Sequence, residues 1–242
     1  MAALRSRTSR LMLMAVLVTA SFGGGQNPEV QALDRGIKYK ERGMLTEAIA
    51  EFTRAIEIHP YFAEAYHRRG AVYITKGDYD QGMADCDEAI ALSPLYQSAF
   101  VCRAAAYSYK GEYEEALSDF RRAIAISPPN WEAYYGRGLT YTKTGNYDQA
   151  IADYDKALEI DPIHAAPYVY VNRAQAYFLQ HAYDKAWQDI ERARAEGYFI
   201  NAELLSRLQS ASGKEHGDPS QGAENISVGR TNADVYRDDQ YS

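Results

Sequence analysis

The sequence predicts an all-α solenoid of antiparallel helix hairpins, closed by a short C-terminal helix. Three observations predict it. Residues 29–62, 63–96, 97–130 and 131–164 align without a gap at a period of 34, and 167–200 follows after a two-residue insertion at Ala165-Ala166. Small side chains recur at three fixed positions of that period. Glycine and proline punctuate each unit at the same two places. A supersecondary unit repeated in this way buries its apolar face only by stacking on its neighbours.

The chain opens on Arg5, Arg7 and Arg10 with no acid among its first twenty residues, then an apolar run from Leu11 to Ala20. Val18-Thr19-Ala20 supplies small residues where a signal peptidase cuts, so residues 1–20 read as an export signal, which implies a periplasmic or secreted protein. Ten apolar residues are about half of the roughly 20 needed to cross a bilayer. The alternative is an organellar transit peptide, against which the compactness of the apolar block argues. Residues 21–28, with three consecutive glycines, read as a flexible leader.

Within the repeats the eighth position is Gly36, Gly70, Ala104, Gly138 and Ala174. The twentieth is Ala48, Gly82, Ala116, Ala150 and Ala186, and the twenty-seventh is always alanine, from Ala55 to Ala193. Two antiparallel helices approach closely where one of them presents almost no side chain. Aromatic residues fill the gaps between these points. The eleventh position is tyrosine in all five units, and the fourth and seventeenth are mostly aromatic. More than half of the 21 tyrosines are thereby assigned to packing, their hydroxyls at the rim.

Gly43, Gly77, Gly111 and Gly145 stand where a first helix ends on a left-handed residue. Pro60, Pro94, Pro128 and Pro162 close the second helices. The fifth unit departs from the pattern, with His181 in place of the turn glycine and Tyr198 in place of the proline. This combination resembles the tetratricopeptide repeat, which implies a right-handed α-solenoid.

Arg35, Arg69, Arg103, Arg137 and Arg173 occupy the seventh position, and Glu51, Asp85, Asp119, Asp153 and Asp189 the twenty-third. Five bases facing five acids at one offset predict a ladder of charge-assisted hydrogen bonds between helices. Pairing within a hairpin and pairing between neighbours are both compatible with the offset.

After the fifth unit, Asn201 is a suitable N-cap, Ile200 and Leu205 are spaced as a hydrophobic staple, and Leu204, Leu205 and Leu208 share a face. A capping helix over 201–211 is expected. Residues 212–242 lose their apolar content and read as a disordered tail.

The chemistry of a catalyst is missing from the pattern. The five histidines have no i, i+4 pair, the two cysteines lack finger spacing, and no nucleophile motif occurs, so neither enzyme activity, cofactor nor metal is expected. His59 and His164 are expected in loops between hairpins. Without the first twenty residues the chain has 23 basic and 33 acidic side chains, net −10, with no basic stripe, which excludes nucleic acid as a partner. Cys86 sits where other units have Phe52, Phe120 or Tyr154 and reads as a buried filler; a bridge to Cys102 is the other possibility.

The family resemblance implies that the first helices line a concave groove with positions 2, 5, 9, 12 and 13 at its floor. Carried onto this chain, that gives Leu33, Ile37, Lys40 and Glu41, then Glu64, His67, Ala71 and Ile74. Hairpin three adds Ser98, Val101, Ala105 and Tyr109, and hairpin four Glu132, Tyr135, Leu139 and Lys143. Hairpin five adds Tyr168, Val171, Gln175, Phe178 and Leu179. Family members that clamp a terminal carboxylate carry Lys at the fifth position and Asn at the ninth. Here the fifth is Leu33, His67, Val101, Tyr135 and Val171, so that mode is not expected. The floor so drawn is apolar and aromatic, densest in hairpins four and five. For the fifth hairpin the alternative is that Tyr168, Phe178 and Leu179 pack beneath the C-terminal helix. The implied function is a non-catalytic scaffold for a peptide or protein segment; the alternatives are a self-assembling solenoid or an accessory subunit of an envelope complex.

Overall fold

A computed structural model describes residues 27–198 and 200–213. The segment 1–20 read as an export signal, most of the expected leader and all but the first residues of the expected tail lie outside the described residues. Among those described there are eleven helices and no strand.

The helices run α1 (Pro28–Glu41), α2 (Leu45–Ile58), α3 (Ala63–Lys76), α4 (Tyr79–Leu92), α5 (Gln97–Lys110), α6 (Tyr113–Ile126), α7 (Trp131–Lys143), α8 (Tyr147–Ile160), α9 (Pro162–Leu179), α10 (Tyr183–Ala195) and α11 (Ala202–Ser212). Each odd helix pairs with the next even one as a hairpin, each even helix packs on the odd helix that follows, and consecutive odd helices also touch. This is the all-α solenoid that the period implies.

Sterics explain the small residues. A Cβ added at Gly36 would lie 2.4 Å from the Phe52 ring, and one at Gly138 2.8 Å from that of Tyr154. In the second hairpin both contact positions are glycine, and a Cβ on Gly70 would come within 2.9 Å of the Gly82 carbonyl oxygen. The alanines at the twenty-seventh position are wholly buried. The eleventh-position tyrosines are half-buried.

The turns are set by backbone handedness. Gly77 and Gly111 end α3 and α5 at φ 88° and 82°, a region open to glycine and strained for other residues. His181 takes the same turn at φ 62°, with Nδ1 2.9 Å from the Tyr183 hydroxyl.

The insertion at 165–166 corrects two expectations. It lengthens α9, which starts at Pro162 on an Asp161 cap whose carboxylate accepts from the N–H groups of Ile163 and His164. Proline suits the first position of a helix because its missing N–H has no intrahelical partner there. His164 therefore lies in the first turn of α9 and not in a loop, its Nδ1 2.8 Å from Asp161.

At the far end Asn201 Oδ1 accepts from the Glu203 N–H at 2.7 Å. Leu204, Leu205 and Leu208 of α11 bury against Trp187 and Ile190 of α10. Cys86 of α4 and Cys102 of α5 are juxtaposed as a disulfide across the second and third hairpins, Cα atoms 6.4 Å apart. Both are buried beside Ala71, Ile74 and Ala106.

Candidate functional site

Two side-chain rows run the length of the array, one between the helices and one along the first-helix wall. In the inter-helix row each seventh-position arginine grips the acid sixteen residues on, within its own hairpin. Arg69 donates from Nε and Nη2 to Asp85 at 2.8 and 2.7 Å, and Arg103, Arg137 and Arg173 hold Asp119, Asp153 and Asp189 in the same two-pronged way. Arg35 donates through Nε to Glu51 at 2.9 Å.

The remaining prong reaches backwards. Nη1 of Arg69 donates to Thr53 of the preceding hairpin at 3.0 Å and that of Arg103 to Asp87 at 2.6 Å, while Nη1 of Arg173 meets Asp155. Arg69, Arg103 and Arg173 therefore tie their own hairpins together and also tie each to the one before. Four of the five guanidinium groups, all but that of Arg35, further lie over the aromatic three residues earlier, Arg137 over Tyr134 at 5.4 Å and Arg173 over Tyr170 at 5.8 Å. Hydrogen bonding to Asp119 raises the Arg103 pKa above its ordinary value. Burial pulls Arg173 the other way, but its two aspartates outweigh that and leave it raised.

The first-helix wall differs from the floor expected of it. Leu33, His67, Ile74 and Val101 are buried, and Tyr135 is wholly so. Tyr135 belongs to the core, packed with Trp131, Tyr154 and Tyr168, and its hydroxyl is bound by Asn172. The His67 Nδ1 lies 3.1 Å from the Tyr96 hydroxyl, and Lys40 is buried. In the fifth hairpin Val171 and Phe178 pack against the cluster formed with α11, and Arg207 lies 5.0 Å over the Phe178 ring. Tyr168 stacks on Trp131 instead, at 5.9 Å.

What remains accessible is narrower. Ile37 and Leu139 are half-buried, and Gln175 and Lys143 are exposed. Tyr109 is 39% exposed and stacks on Tyr79 at 5.4 Å. The Lys143 ammonium lies 5.1 Å over the Tyr109 ring and 3.4 Å from the Ser108 carbonyl, and burial lowers its pKa. Beneath it Thr140 donates to Ser108 Oγ at 3.2 Å. The structure thus brings Tyr109, Leu139 and Lys143 to adjacent first helices, α5 and α7, and takes Tyr135 away from that surface.

Sequence reasoning missed Trp131 and Asn172, which organise the core beneath this wall. Trp131 opens α7 with its Nε1 buried and without a hydrogen-bond partner among the described residues. An asparagine in the middle of an apolar helix face was the available signal for Asn172. Among the described residues no three His, Cys, Asp or Glu side chains converge as a metal site requires. No described helix is long and apolar enough to cross a membrane.

Tetratricopeptide repeat family models match residues 63–94 and 131–164, and a TPR repeat model matches 36–77 and 106–145. No curated protein matches the sequence. Among solved structures, a thermophilic TPR protein of Thermus thermophilus is 24% identical, with TM-score 0.65 over 76% of this chain and 98% of that one. Pseudomonas aeruginosa pilF is 21% identical, with TM-score 0.66 over 77% of this chain and 85% of its own. A tetratricopeptide repeat protein from Parabacteroides merdae is 23% identical, with TM-score 0.62 over 77% of this chain and 74% of that one. These likenesses are likenesses of fold. With five hairpins in register and family matches along the array, the chain belongs to the tetratricopeptide repeat family.

Proposed function

We propose that the protein is an exported, non-catalytic scaffold that holds a peptide or protein segment against its first-helix wall. The observation that carries this reading is the patch on α5 and α7. Tyr109 is 39% exposed and stacks on Tyr79, Lys143 is partly desolvated over its ring, and Leu139 lies half-buried on the same helix as Lys143. Exposed aromatics beside a cation and an aliphatic side chain are the composition of binding surfaces, where a few such anchors carry most of the affinity. Export is supported by the juxtaposed Cys86 and Cys102, since such bridges persist in oxidising compartments.

End-to-end self-assembly draws no support from the C-terminal end. There α11 leaves Glu203, Ser206, Arg207 and Ser210 exposed, a polar outer face that terminates stacking.

The test places a photo-crosslinking residue at position 139 of the full chain in its source cell. The expected result is one dominant crosslinked partner, with yield cut about tenfold by the pair Tyr109→Ala and Lys143→Ala, as loss of two anchors implies. A crosslink indifferent to that pair, in a folded variant, removes this patch as the site. A crosslink only to a second copy of the chain replaces the scaffold with a self-assembler.

A further inference from the structure

The inter-helix ladder has one broken rung. At three of the four boundaries the arginine's Nη1 finds an acceptor on the preceding second helix: Thr53, Asp87 and Asp155. At the boundary between hairpins three and four the residue in that place is Arg121. Arg137 is held on Asp153 as its counterparts are held, and the residue in register with those acceptors is a second arginine. Among the described residues Arg137 has no acceptor on the preceding hairpin.

A second polar row is missing at the same boundary, as it is between hairpins one and two, where Lys76 meets Asp78 of its own hairpin. Lys110 donates to Asp80 at 2.8 Å and Gln180 to Asp148 at 2.5 Å, each from the end of a first helix to the preceding hairpin. The corresponding Thr144 turns back on its own helix, donating to the Thr140 and Tyr141 carbonyls. Arg121 and Arg122 are both exposed there. The place itself is open to solvent, since the Asp87 and Asp155 side chains that fill it elsewhere are 57% and 55% exposed.

We infer that Arg121 and Arg137 together form a carboxylate-binding site between hairpins three and four. The ligand oxygen takes the place that Asp87 and Asp155 take in their own rungs. The chemistry follows from geometry. One guanidinium is already oriented by Asp153 and the stacked Tyr134 ring, so little ordering cost remains on binding. Arg121 adds a second cation in register on the preceding hairpin, which strengthens the attraction for an anion. A planar carboxylate offers two acceptors to two guanidinium edges, the arrangement in which such pairs are strongest. The site is independent of the first-helix wall, and it binds an acidic group whether or not that wall binds a segment.

The test follows the arginine Nε–Hε resonances of the ¹⁵N-labelled full chain at fixed ionic strength, with acetate and with an oligoglutamate peptide as probes. The expected result is a saturable shift of the Arg121 and Arg137 signals, with affinity at least about tenfold weaker in Arg121→Asp, which closes the rung internally. That variant is also expected to melt at a higher temperature than the wild type, so loss of binding is separable from loss of fold. Oligoglutamate binding at least about tenfold tighter than acetate marks the source as an acidic segment of a partner protein, and equal affinities mark it as a free carboxylate. Resonances that move only linearly with either probe, or an Arg121→Asp variant that binds as the wild type does, overturn the site.

Discussion

The Tyr135 hydroxyl accepts a hydrogen bond from Asn172 Nδ2 at 2.9 Å, and the same amide nitrogen donates to the Tyr168 carbonyl at 2.7 Å. Both side chains are buried, and together they join α7 to α9 beneath the wall. Tyr135→Phe removes one acceptor from a dry site and strands an amide hydrogen, at a cost of about 1–3 kcal/mol. Tyr135→Ala also empties space among Trp131, Tyr154 and Tyr168, at a cost of about 3–5 kcal/mol. Urea unfolding should rank wild type above Tyr135→Phe above Tyr135→Ala. A phenylalanine variant as stable as the wild type would show that Asn172 reaches another acceptor.

The ladder should weaken from its fifth rung to its first. The Arg173 and Asp189 side chains are 10% and 4% exposed, whereas those of Arg35 and Glu51 are 40% and 20% exposed. Removing one partner of a buried pair leaves a charge without compensation, so Asp189→Ala should cost about 3–5 kcal/mol. Glu51→Ala frees an arginine that water reaches directly, and its unfolding midpoint should stay close to the wild type's. Equal losses at the two rungs would mean that burial is not what sets their strength.

The repeat, its small contact positions and the two charged rows of the ladder were legible in the sequence because each recurs at a fixed place in one hairpin, whereas which acid each arginine takes was left open. Gly36 must be small because Phe52 lies against it, and both residues belong to the same unit. Features set by stacking between units were not legible. Tyr135 and Val101 occupy the fifth position that the resemblance assigns to a groove floor, yet packing between consecutive first helices buries them. The backward prongs of Arg69, Arg103 and Arg173 were hidden for the same reason, since their acceptors lie on another hairpin. His164 was misplaced because an insertion of two residues was read as loop, while Asp161 and Pro162 are a helix start.

Lys143 should be the first lysine of the wall to react. Burial lowers its pKa, so its amine loses its proton at a lower pH than an ordinary lysine, and the neutral amine is the nucleophile. Competitive labelling with acetic anhydride, read by peptide mass spectrometry, should give Lys143 a rate profile displaced to lower pH relative to the exposed Lys38. Removing its cover with Tyr109→Ala should return the profile towards the ordinary one. A wild-type profile that coincides with that of Lys38 would show the ammonium to be fully hydrated, and would remove desolvation from the account of this patch.

Cys86 and Cys102 tie the second hairpin to the third at a separation of 16 residues. Closing a loop of that length restricts the unfolded chain by about 3 kcal/mol at room temperature, whatever the contacts in the folded state. Protein purified from an oxidising compartment should resist alkylation when unfolded in urea and take up two equivalents only after reduction. Reduction should then lower the urea midpoint, and Cys102→Ala should lower it similarly, without a further drop on adding reductant. The control discriminates because Cys86 is wholly buried either way and its packing survives in the reduced wild type. Alkylation of both cysteines without reductant would instead assign them to the apolar core alone, and the support they lend to export would go with the bridge.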